Sequence, residues 1–347
     1  MERWNADRET KILVTGGMGF IGSNFILYML EQYPRMMIYN LDALTYAGNA
    51  DNLSHIGSHP KYRFVQGDIG DRKLVESVMD EGIGAVVHFA AESHVDRSIR
   101  NPVPFIRTNV NGTQCLLEAA RKRGVGKFVH VSSDEVYGTL GEQGFFTEDS
   151  PLAPNSPYSA SKASSDLIAR AYFRTFGFPV VVTRCSNNYG PRQFPEKLIP
   201  MMIEQAMTDS PIPLYGDGLN VRDWIHVEDH CRAIDIVMQG GKPGDVYNVG
   251  GNNERTNLEV ARIVLSQLGK PESLIQFVDD RPGHDRRYAI KAEKIRKQLN
   301  WSARYSFEQG IKQTVEWYLQ NPEWLRRIRS GEYLHTHPQY NKGGTVG

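Results

Sequence analysis

A glycine-rich turn directly after a short apolar run constrains the fold more than any other feature of this chain. The run is KILVT (11–15), and the turn TGGMGFIG (15–22) opens a helical pattern. Gly16, Gly19 and Gly22 would let the backbone approach a pyrophosphate at the helix N-terminus. A tight strand-to-helix turn without a ligand would carry the same glycines, so the neighbouring sequence has to decide between the two readings.

An acidic residue at the expected distance favours the dinucleotide reading. Asp42 lies 20 residues past Gly22, at the end of MIYNLD. A carboxylate there accepts hydrogen bonds from ribose hydroxyls and repels a 2′-phosphate, which predicts NAD rather than NADP. Asp68 and Ile69 close the next strand and would lie beside the adenine, although an Asp at a strand end is equally common as a turn former.

Short apolar runs alternate with helical patterns through the first half of the chain. The runs MIYNLD, YRFVQGD, AVVHFAA and KFVHVSS are typical of βαβ units, which predict a parallel sheet with helices on both faces. We therefore predict an α/β fold: a Rossmann-type doubly wound parallel sheet with a smaller, mostly helical C-terminal substrate lobe. The predicted division is an NAD-binding domain over 11–190, joined by elements returning from the later chain, a nucleotide-sugar-binding lobe over 191–330, and terminal extensions over 1–10 and 331–347.

The later chain is predicted to be rich in helices. Helices are expected over 103–122, 158–175, 194–208, 223–239, 257–269 and 307–320, with short strands at IPLYG, DVYNVG and IQFVDD, and VVVTRCSNNYG is expected to be a strand running into a loop.

Composition excludes several classes of function. Forty basic and forty acidic residues cancel, which argues against nucleic acid and gives no reason to expect a membrane surface. Three scattered cysteines without a CxxC pair predict neither disulfides nor a structural zinc site and fit a reducing cytoplasm. No apolar run approaches the ~18 residues of a membrane helix. His226 and His284 lack a second ligand at suitable spacing, so no metal is expected.

Tyr158 and Lys162 predict removal of a hydride from an alcohol. Four residues apart at a helix start, they lie on one face, where an ammonium would lower the pKa of the phenol so that it can take a hydroxyl proton. Many helices carry YxxxK for surface reasons, but here Pro157 and the strand ending at Ser133 precede it.

Asp134 and Glu135 add acid–base chemistry to this redox pair. Adjacent carboxyls in a partly desolvated pocket repel each other, so that one stays neutral and the other ionised. A solvated acidic turn is the alternative, but the pair stands at the strand end that should line the cofactor.

The order TGGxGFIG, strand-end hydroxyl and YxxxK resembles the extended short-chain dehydrogenase/reductase family. Within it the chain is similar to the dTDP-glucose 4,6-dehydratases over about residues 11–325. The motifs that carry the resemblance are LDALTYAGN (41–49), AAESHVDRS (90–98), SSDEVYG (132–138), PYSASKA (157–163), RCSNNYGPRQFPEKLIP (184–200), RDWIHVEDH (222–230) and DRPGHDRRYAI (280–290).

The resemblance implies an NAD-dependent lyase that makes dTDP-4-keto-6-deoxyglucose from dTDP-glucose. Tyr158, helped by Ser133 and Lys162, would deprotonate the C4 hydroxyl; Glu135 would take the C5 proton, and Asp134 would protonate the departing C6 oxygen. The implied cofactor-binding residues are Gly16, Gly19, Phe20, Ile21, Gly22, Asp42, Leu44, Thr45, Asp68, Ile69, Ala90, Ala91, Thr108, Tyr158, Lys162 and Asn188. The implied substrate-binding residues are Ser93, Ser133, Asn187, Lys197, Leu198, Pro213, Tyr215, Arg222, Asn257, Arg281, His284 and Tyr288.

The chain departs from the family where Ser133 replaces the usual Thr, which retains the hydroxyl and removes a methyl group. The resemblance also implies a homodimer in which helices 103–122 and 158–175 form a four-helix bundle, although burial in one core would give the same apolar pattern. The dTDP and UDP bases stay open as alternatives.

Three relatives and one non-enzyme compete with this interpretation. A nucleotide-sugar 4-epimerase would need no Asp134 or Glu135, and a GDP-mannose dehydratase or a sugar-acid decarboxylase usually has Ser in place of Asp134. An idle NAD-binding sensor or scaffold would not need the full set of five catalytic side chains.

Overall fold

The computed structural model describes residues 10–334, which form an α/β fold around a parallel sheet. Its strands, in chain order, are β1 Lys11–Thr15, β2 Met37–Asp42, β3 Tyr62–Gln66, β4 Ala85–His88, β5 Lys127–Ser133, β6 Val180–Cys185, β7 Asn187–Tyr189, β8 Ile212–Tyr215, β9 Val221–His226, β10 Val246–Val249, β11 Glu254–Thr256 and β12 Ile275–Val278.

Seven strands make the main sheet in the order β10-β6-β5-β4-β1-β2-β3. All of its neighbouring pairs are parallel. The strand order reverses between β1 and β4, and the carboxyl ends of these two strands border the crevice where such sheets bind ligands. The predicted Rossmann-type doubly wound sheet is confirmed.

Helices cover both faces of the sheet. They are α1 Phe20–Gln32, α2 Arg72–Met79, α3 Val95–Arg100, α4 Val103–Phe105, α5 Thr113–Lys122, α6 Pro157–Phe176, α7 Leu198–Met207, α8 Val227–Gly240, α9 Asn257–Leu268, α10 Glu293–Leu299, α11 Phe307–Gln320 and α12 Pro322–Ser330. A π-helical stretch, Ile106–Gly112, joins α4 to α5, so the helix predicted over 103–122 is helical throughout but widened in its middle. None of the helices between residues 10 and 334 is long and apolar enough to cross a bilayer.

The prediction for residues 223–239 is wrong at its start. Residues 221–226 form β9, which pairs with β11 and β7 in a three-stranded sheet, and the helix begins only at Val227. A buried strand that runs straight into a helix gives one continuous apolar pattern, and periodicity alone cannot separate the two. β7 likewise replaces part of the loop expected after β6, and β8 pairs with β12 in a two-stranded sheet.

The later chain contributes to both parts of the molecule. β10 and α8 pack into the first half, whereas β8, α7, α9, α11 and α12 surround a second apolar core. The division at residue 190 stays a prediction. Of the predicted extensions, residues 332–334 form a short 3-10 helix, and residues 1–9 and 335–347 lie outside the described part of the chain.

A buried polar network ties α6 to the main sheet. The Asp166 carboxylate on α6 accepts a hydrogen bond from Arg184 Nε of β6 at 2.7 Å and lies 3.3 Å from His130 Nε2 of β5. Arg184 Nη1 donates to the Tyr137 hydroxyl at 2.9 Å, and that hydroxyl donates to Asn248 of β10 at 2.7 Å. Because α6 also carries Tyr158 and Lys162, this network fixes the height of both above the sheet.

Breaking this network on one side should destabilise the fold strongly. Asp166→Asn leaves the Arg184 guanidinium, which is 1% exposed, without its counter-charge. We expect a loss of about 3–5 kcal/mol, measured as a shift of the urea unfolding midpoint. Glu293→Gln, which breaks the exposed i,i+4 pair with Lys297, is the control and should cost no more than ~0.5 kcal/mol. Equal effects of the two substitutions would contradict the assignment.

Candidate active site

The glycine-rich turn brings two strand ends into backbone contact. Gly16 has φ +73°, and a β-carbon there would lie 2.6 Å from the Ala90 nitrogen after β4. A β-carbon on Gly22 would lie 2.3 Å from the Gly16 carbonyl oxygen. Gly19 precedes α1 and provides no side-chain cap, so the first N–H groups of this helix face the crevice for an anionic ligand.

Asp42 is held rigidly at the end of β2. One carboxylate oxygen accepts the Met18 N–H at 2.9 Å, and the other accepts the Leu44 N–H at 2.8 Å. Burial raises the pKa of Asp42, and these two backbone hydrogen bonds oppose the shift. The carboxylate is thereby connected to the glycine-rich turn itself.

Most of the predicted site residues line one large cleft at this edge of the sheet. The predicted cofactor residues on its wall are Gly16, Gly19, Phe20, Ile21, Gly22, Asp42, Thr45, Asp68, Ile69, Ala90, Ala91, Thr108, Tyr158, Lys162 and Asn188. Ser93, Ser133, Asp134, Glu135, Asn187 and Lys197 line the same cleft. One cleft therefore brings together the predicted catalytic side chains and the predicted dinucleotide cradle, by which we mean the glycine-rich turn 15–22, Asp42 and the loop after β2.

The start of α6 is fixed by local capping. Ser156 Oγ accepts the Ser159 N–H at 3.0 Å in a capping box, and Pro157 occupies the first turn. The Tyr158 N–H donates to Ser98 Oγ at 3.1 Å. These contacts set the position from which the Tyr158 and Lys162 side chains project.

The expected lowering of the Tyr158 pKa is wrong. Burial raises the pKa of this phenol well above its usual value, and the nearby Glu135 carboxylate raises it further, while a hydrogen bond with Ser133 opposes the shift. Lys162 Nζ donates to the Val131 carbonyl at 2.8 Å, and burial lowers the pKa of Lys162 itself. The desolvation of both groups thus outweighs the charge effect that the spacing suggested.

Ser133, Asp134 and Glu135 form the turn at the end of β5. Ser133 Oγ accepts the Glu135 N–H at 3.3 Å and starts a short 3-10 helix, Asp134–Tyr137. Asp134 is 2% exposed, and its Oδ2 atom has no hydrogen-bond partner within the described residues. A buried, unpartnered carboxyl oxygen is poised either to hold a proton or to meet a ligand.

The two adjacent carboxyls differ in their surroundings as an acid–base pair requires. Burial raises the pKa of Asp134 well above its usual value, and the charges of Glu135 and Asp223 raise it further. Burial also raises the pKa of Glu135, but the cations of Arg281, Arg222 and Lys197 oppose that shift. The predicted division into a protonated and an ionised carboxyl is therefore supported by identified charges.

The rest of the predicted substrate residues lie outside the lining of this cleft. They are Leu198, Pro213, Tyr215, Arg222, Asn257, Arg281, His284 and Tyr288, called the outer group below. Of the predicted cofactor residues, Leu44 alone is also absent from the cleft lining.

Two arginines of this outer group connect it to the predicted catalytic residues. Arg222 stacks on Tyr288 at 4.4 Å and donates to the Asp285 carbonyl at 3.0 Å. Arg281 Nη1 donates to Asp96 Oδ1 at 3.1 Å. Since both cations oppose the rise in the pKa of Glu135, they lie within electrostatic reach of the turn 133–135.

Sequence reasoning missed several residues of the site. Glu92, Cys185 and Glu196 line the cleft. Asp223, whose pKa is raised to about 6 by burial, contributes to the shift of Asp134. All four stood inside quoted motifs, Glu92 in AAESHVDRS, Cys185 and Glu196 in RCSNNYGPRQFPEKLIP and Asp223 in RDWIHVEDH, so those motifs held a signal for them.

No cluster of three His, Cys, Asp or Glu side chains suited to a metal ion occurs within residues 10–334. The uncapped helix start, the close approach of Gly16 to Ala90 and the backbone-bonded Asp42 together fit a dinucleotide. What this cleft can do chemically is hold a dinucleotide beside a phenol, an amine and two carboxyls of different acidity.

Comparison with known proteins agrees with this geometry. A family model described as GDP-mannose 4,6 dehydratase matches residues 13–314. The dTDP-glucose 4,6-dehydratase of Xanthomonas campestris pv. campestris (strain B100) is 54% identical over 340 residues, which cover 92% of this chain and 96% of that protein.

Solved structures of dTDP-glucose 4,6-dehydratases share the fold of this chain. The Bacillus anthracis dTDP-glucose 4,6-dehydratase in complex with NAD is 54% identical, with a TM-score of 0.87, and the match covers 92% of this chain and 99% of that one. The Streptomyces venezuelae dTDP-glucose 4,6-dehydratase, also with NAD bound, is 50% identical with a TM-score of 0.90 over 92% and 100% of the two chains. The chain belongs to the dTDP-glucose 4,6-dehydratases, in the extended short-chain dehydrogenase/reductase family.

Proposed function

We propose that this protein converts dTDP-glucose to dTDP-4-keto-6-deoxyglucose and water with NAD held throughout the cycle. The observation that carries the proposal is the carboxyl pair: Asp134 is buried with a strongly raised pKa, and Glu135 next to it faces three cations. A dehydrogenase that only moves a hydride has no use for such a pair.

Oxidation at C4 requires a base for the hydroxyl proton. Tyr158 lies on the cleft wall with Ser133 and Lys162, and its phenolate would take that proton. NAD, when bound, supplies the carrier for the hydride that leaves C4 and returns to C6, together with a positive charge in the cleft that favours the phenolate. Lys162, fixed by the Val131 carbonyl, holds a second positive charge near this centre.

Elimination needs a base at C5 and an acid at C6. The ketone at C4 acidifies the C5 proton, and Glu135 takes it because Arg281, Arg222 and Lys197 favour its ionised form. Asp134 gives its proton to the departing C6 oxygen, because burial and neighbouring carboxylates keep it protonated. Water leaves, and Glu135 returns the proton to C5 when the hydride reaches C6. The proton that Tyr158 took from the C4 hydroxyl then replaces, by way of solvent, the one that Asp134 gave up, which regenerates the starting enzyme.

The outer group of residues suits the nucleotide diphosphate. Arg222 and Arg281 offer guanidinium groups that match phosphate oxygens in geometry. Asn257 Oδ1 in this group and Asn187 Oδ1 in the lining of the cleft are buried without a hydrogen-bond partner in the described residues, as expected of groups that await a ligand. We infer that these side chains hold the nucleotide while Ser93 and Lys197 face the sugar.

Asp134 distinguishes this proposal from its relatives. An epimerase that removes and returns one hydride at C4 has no step for a protonated carboxyl, and Ser at this position, usual in GDP-mannose dehydratases, would lack the carboxyl group. The rigid carboxylate of Asp42 also favours NAD over the 2′-phosphorylated cofactor. The three cysteines are free thiols, which fits our inference that the protein works in the cytoplasm.

A panel of nucleotide sugars tests the substrate. Purified protein is incubated with dTDP-glucose, UDP-glucose and GDP-mannose, and products are identified by mass spectrometry and by the alkaline absorbance of 4-keto sugars. From dTDP-glucose we expect a product lighter by the mass of one water, formed at a rate at least ~10-fold above the other two donors. Absence of this product with every donor would overturn the proposal.

Two substitutions should stop the cycle at different steps. Tyr158→Phe removes the base for the C4 hydroxyl, so we expect at least a ~100-fold loss of C4 oxidation. Glu135→Gln removes the base for C5, so C4 oxidation should persist, seen as absorbance of reduced cofactor, while exchange of the C5 proton with deuterium oxide falls at least ~100-fold. Full exchange in Glu135→Gln would show that another residue is the C5 base.

We also propose that the protein is a homodimer through a four-helix bundle. Large apolar side chains are exposed on α3, α4, α6 and the π-helical stretch: Ile99 (39%), Val103 (68%), Ile106 (47%), Leu167 (55%) and Phe176 (53%). Exposed apolar side chains grouped on one surface mark interaction sites, and these five lie on or next to the helical segments expected to form the bundle. Two helical segments from each subunit would make the bundle.

A charge in this surface should separate the subunits. Leu167→Glu places a carboxylate at the proposed interface, so we expect the mass measured by sedimentation to fall from dimer to monomer. Leu319→Glu on α11, where the leucine is 50% exposed, is the matched control and should stay dimeric. A dimer of unchanged stability in Leu167→Glu would contradict this interface.

A further inference from the structure

The last described part of the chain reaches back to the dinucleotide cradle. We call α12 together with the turn Glu332–Leu334 the C-terminal strap. Trp324, Leu325, Ile328 and Tyr333 are each at most 9% exposed and belong to the second apolar core. The strap is therefore anchored in the substrate lobe, although its polar atoms bind the other half of the molecule.

One contact runs from the strap into the glycine-rich turn. Trp324 Nε1 donates to Asn52 Oδ1 at 2.9 Å, and Asn52 Nδ2 donates to the Met18 carbonyl at 2.9 Å. The Met18 N–H in turn donates to Asp42 Oδ2 at 2.9 Å. Asn52 is 3% exposed and Asp42 is 8% exposed, so water does not substitute readily for any of these partners.

A second contact holds the loop after β2. The Tyr333 hydroxyl donates to the Tyr46 carbonyl at 2.6 Å. Tyr46 lies between Thr45 and Ala47, both of which line the cleft. The guanidinium of Arg97 covers the Tyr46 ring at 3.5 Å, so the loop is held from the strap on one side and from α3 on the other.

An ion pair closes the same loop segment. Arg327 Nε lies 2.7 Å from Asp51 Oδ2, and both side chains are largely buried, with 22% and 13% exposure. Asp51 and the buried Asn52 both belong to a 3-10 helix, Ala50–Ile56, whose N-cap is Asn49. Strap contacts thus reach residues 46, 51 and 52, which lie on one continuous segment made of the loop after β2 and the 3-10 helix that follows it.

We propose that the C-terminal strap is a positioning element that retains NAD in the cleft, an inference that rests on the proposed NAD-dependent function. The strap holds the loop that forms one wall of the cradle, and through Asn52 and Met18 it also holds the turn expected to contact the pyrophosphate. If the loop moves away from the turn, the hydrogen bonds from Trp324 to Asn52, from Asn52 to Met18 and from Tyr333 to Tyr46 have to break. The energy needed to break them slows that movement. Retention matters because the hydride taken from C4 has to return to the same sugar at C6.

Cofactor release from the purified holoenzyme tests this proposal. Trp324→Phe removes the indole donor and leaves Asn52 Oδ1 unpaired, and Tyr333→Phe removes the hydroxyl donor to Tyr46. We expect NAD to dissociate about tenfold faster from each variant after dilution, because the lost bond and its unpaired partner are together worth roughly one factor of ten. Released NAD is quantified by chromatography as a function of time.

Two matched substitutions serve as controls. Trp301→Phe removes an indole N–H that donates to the Asp229 carbonyl at 3.3 Å, and Tyr305→Phe removes a hydroxyl that donates to Glu228; neither contact touches the cradle. Both controls should release NAD at the wild-type rate. Excess NAD should restore kcat in the two strap variants. Because bound NAD also stabilises the folded state, the urea unfolding midpoints without NAD should match those of the two controls, which would exclude a general loss of folding.

The outcomes separate this inference from the proposed function. A wild-type protein that binds no NAD would refute the proposed function itself. A wild-type protein that retains NAD, with strap variants releasing it at the rate of the two controls, would overturn the strap and leave the proposed function intact. Faster release confined to Trp324→Phe and Tyr333→Phe establishes the strap.

Discussion

The close approach of two main-chain segments organises the whole site. Gly16 at the end of β1 touches Ala90 just after β4 at a distance that excludes a β-carbon. These strands flank the point at which the order of the sheet reverses, so their contact fixes the crevice between its two halves. One side leads into α1 and the glycine-rich turn, and the other leads to Ser93, which lines the same cleft. In the proposed function, backbone geometry therefore sets the distance between cofactor and sugar.

Burial and charge act on this crevice in opposite directions. Desolvation raises the pKa of Asp134, Glu135 and Tyr158 alike, which alone would give three protonated groups and no base. Arg281, Arg222 and Lys197 oppose this rise at Glu135, whereas at Asp134 the charges of Glu135 and Asp223 add to it. The two carboxyls are adjacent in sequence, and the charged residues around each of them cause the difference in their pKa shifts.

Local sequence predicted what depends on local geometry. The glycine-rich turn, Asp42 and the helical spacing of Tyr158 and Lys162 all lie where they were expected, because each depends on residues close together in the chain. The Tyr158 pKa was misjudged because desolvation depends on residues from several elements, which one helix cannot reveal. β9 was taken for helix because a buried strand and a buried helix share an apolar pattern. The bond between Trp324 and Asn52 spans 272 positions and left no sequence signal at all.

The position of β10 has a consequence for how the chain acquires its structure. This strand completes the main sheet beside β6, yet it lies after two elements of the second sheet and about 60 residues downstream of β6. While the ribosome is still making the intervening segment, β6 is an open edge whose N–H and C=O groups have no partner strand. Asn248, which anchors Tyr137 beside the catalytic turn, is added only with β10. A nascent chain of the first 190 residues therefore contains most motifs of the cleft but lacks β10, which completes the sheet and supplies Asn248. We expect such a chain to depend on chaperones until β10 emerges.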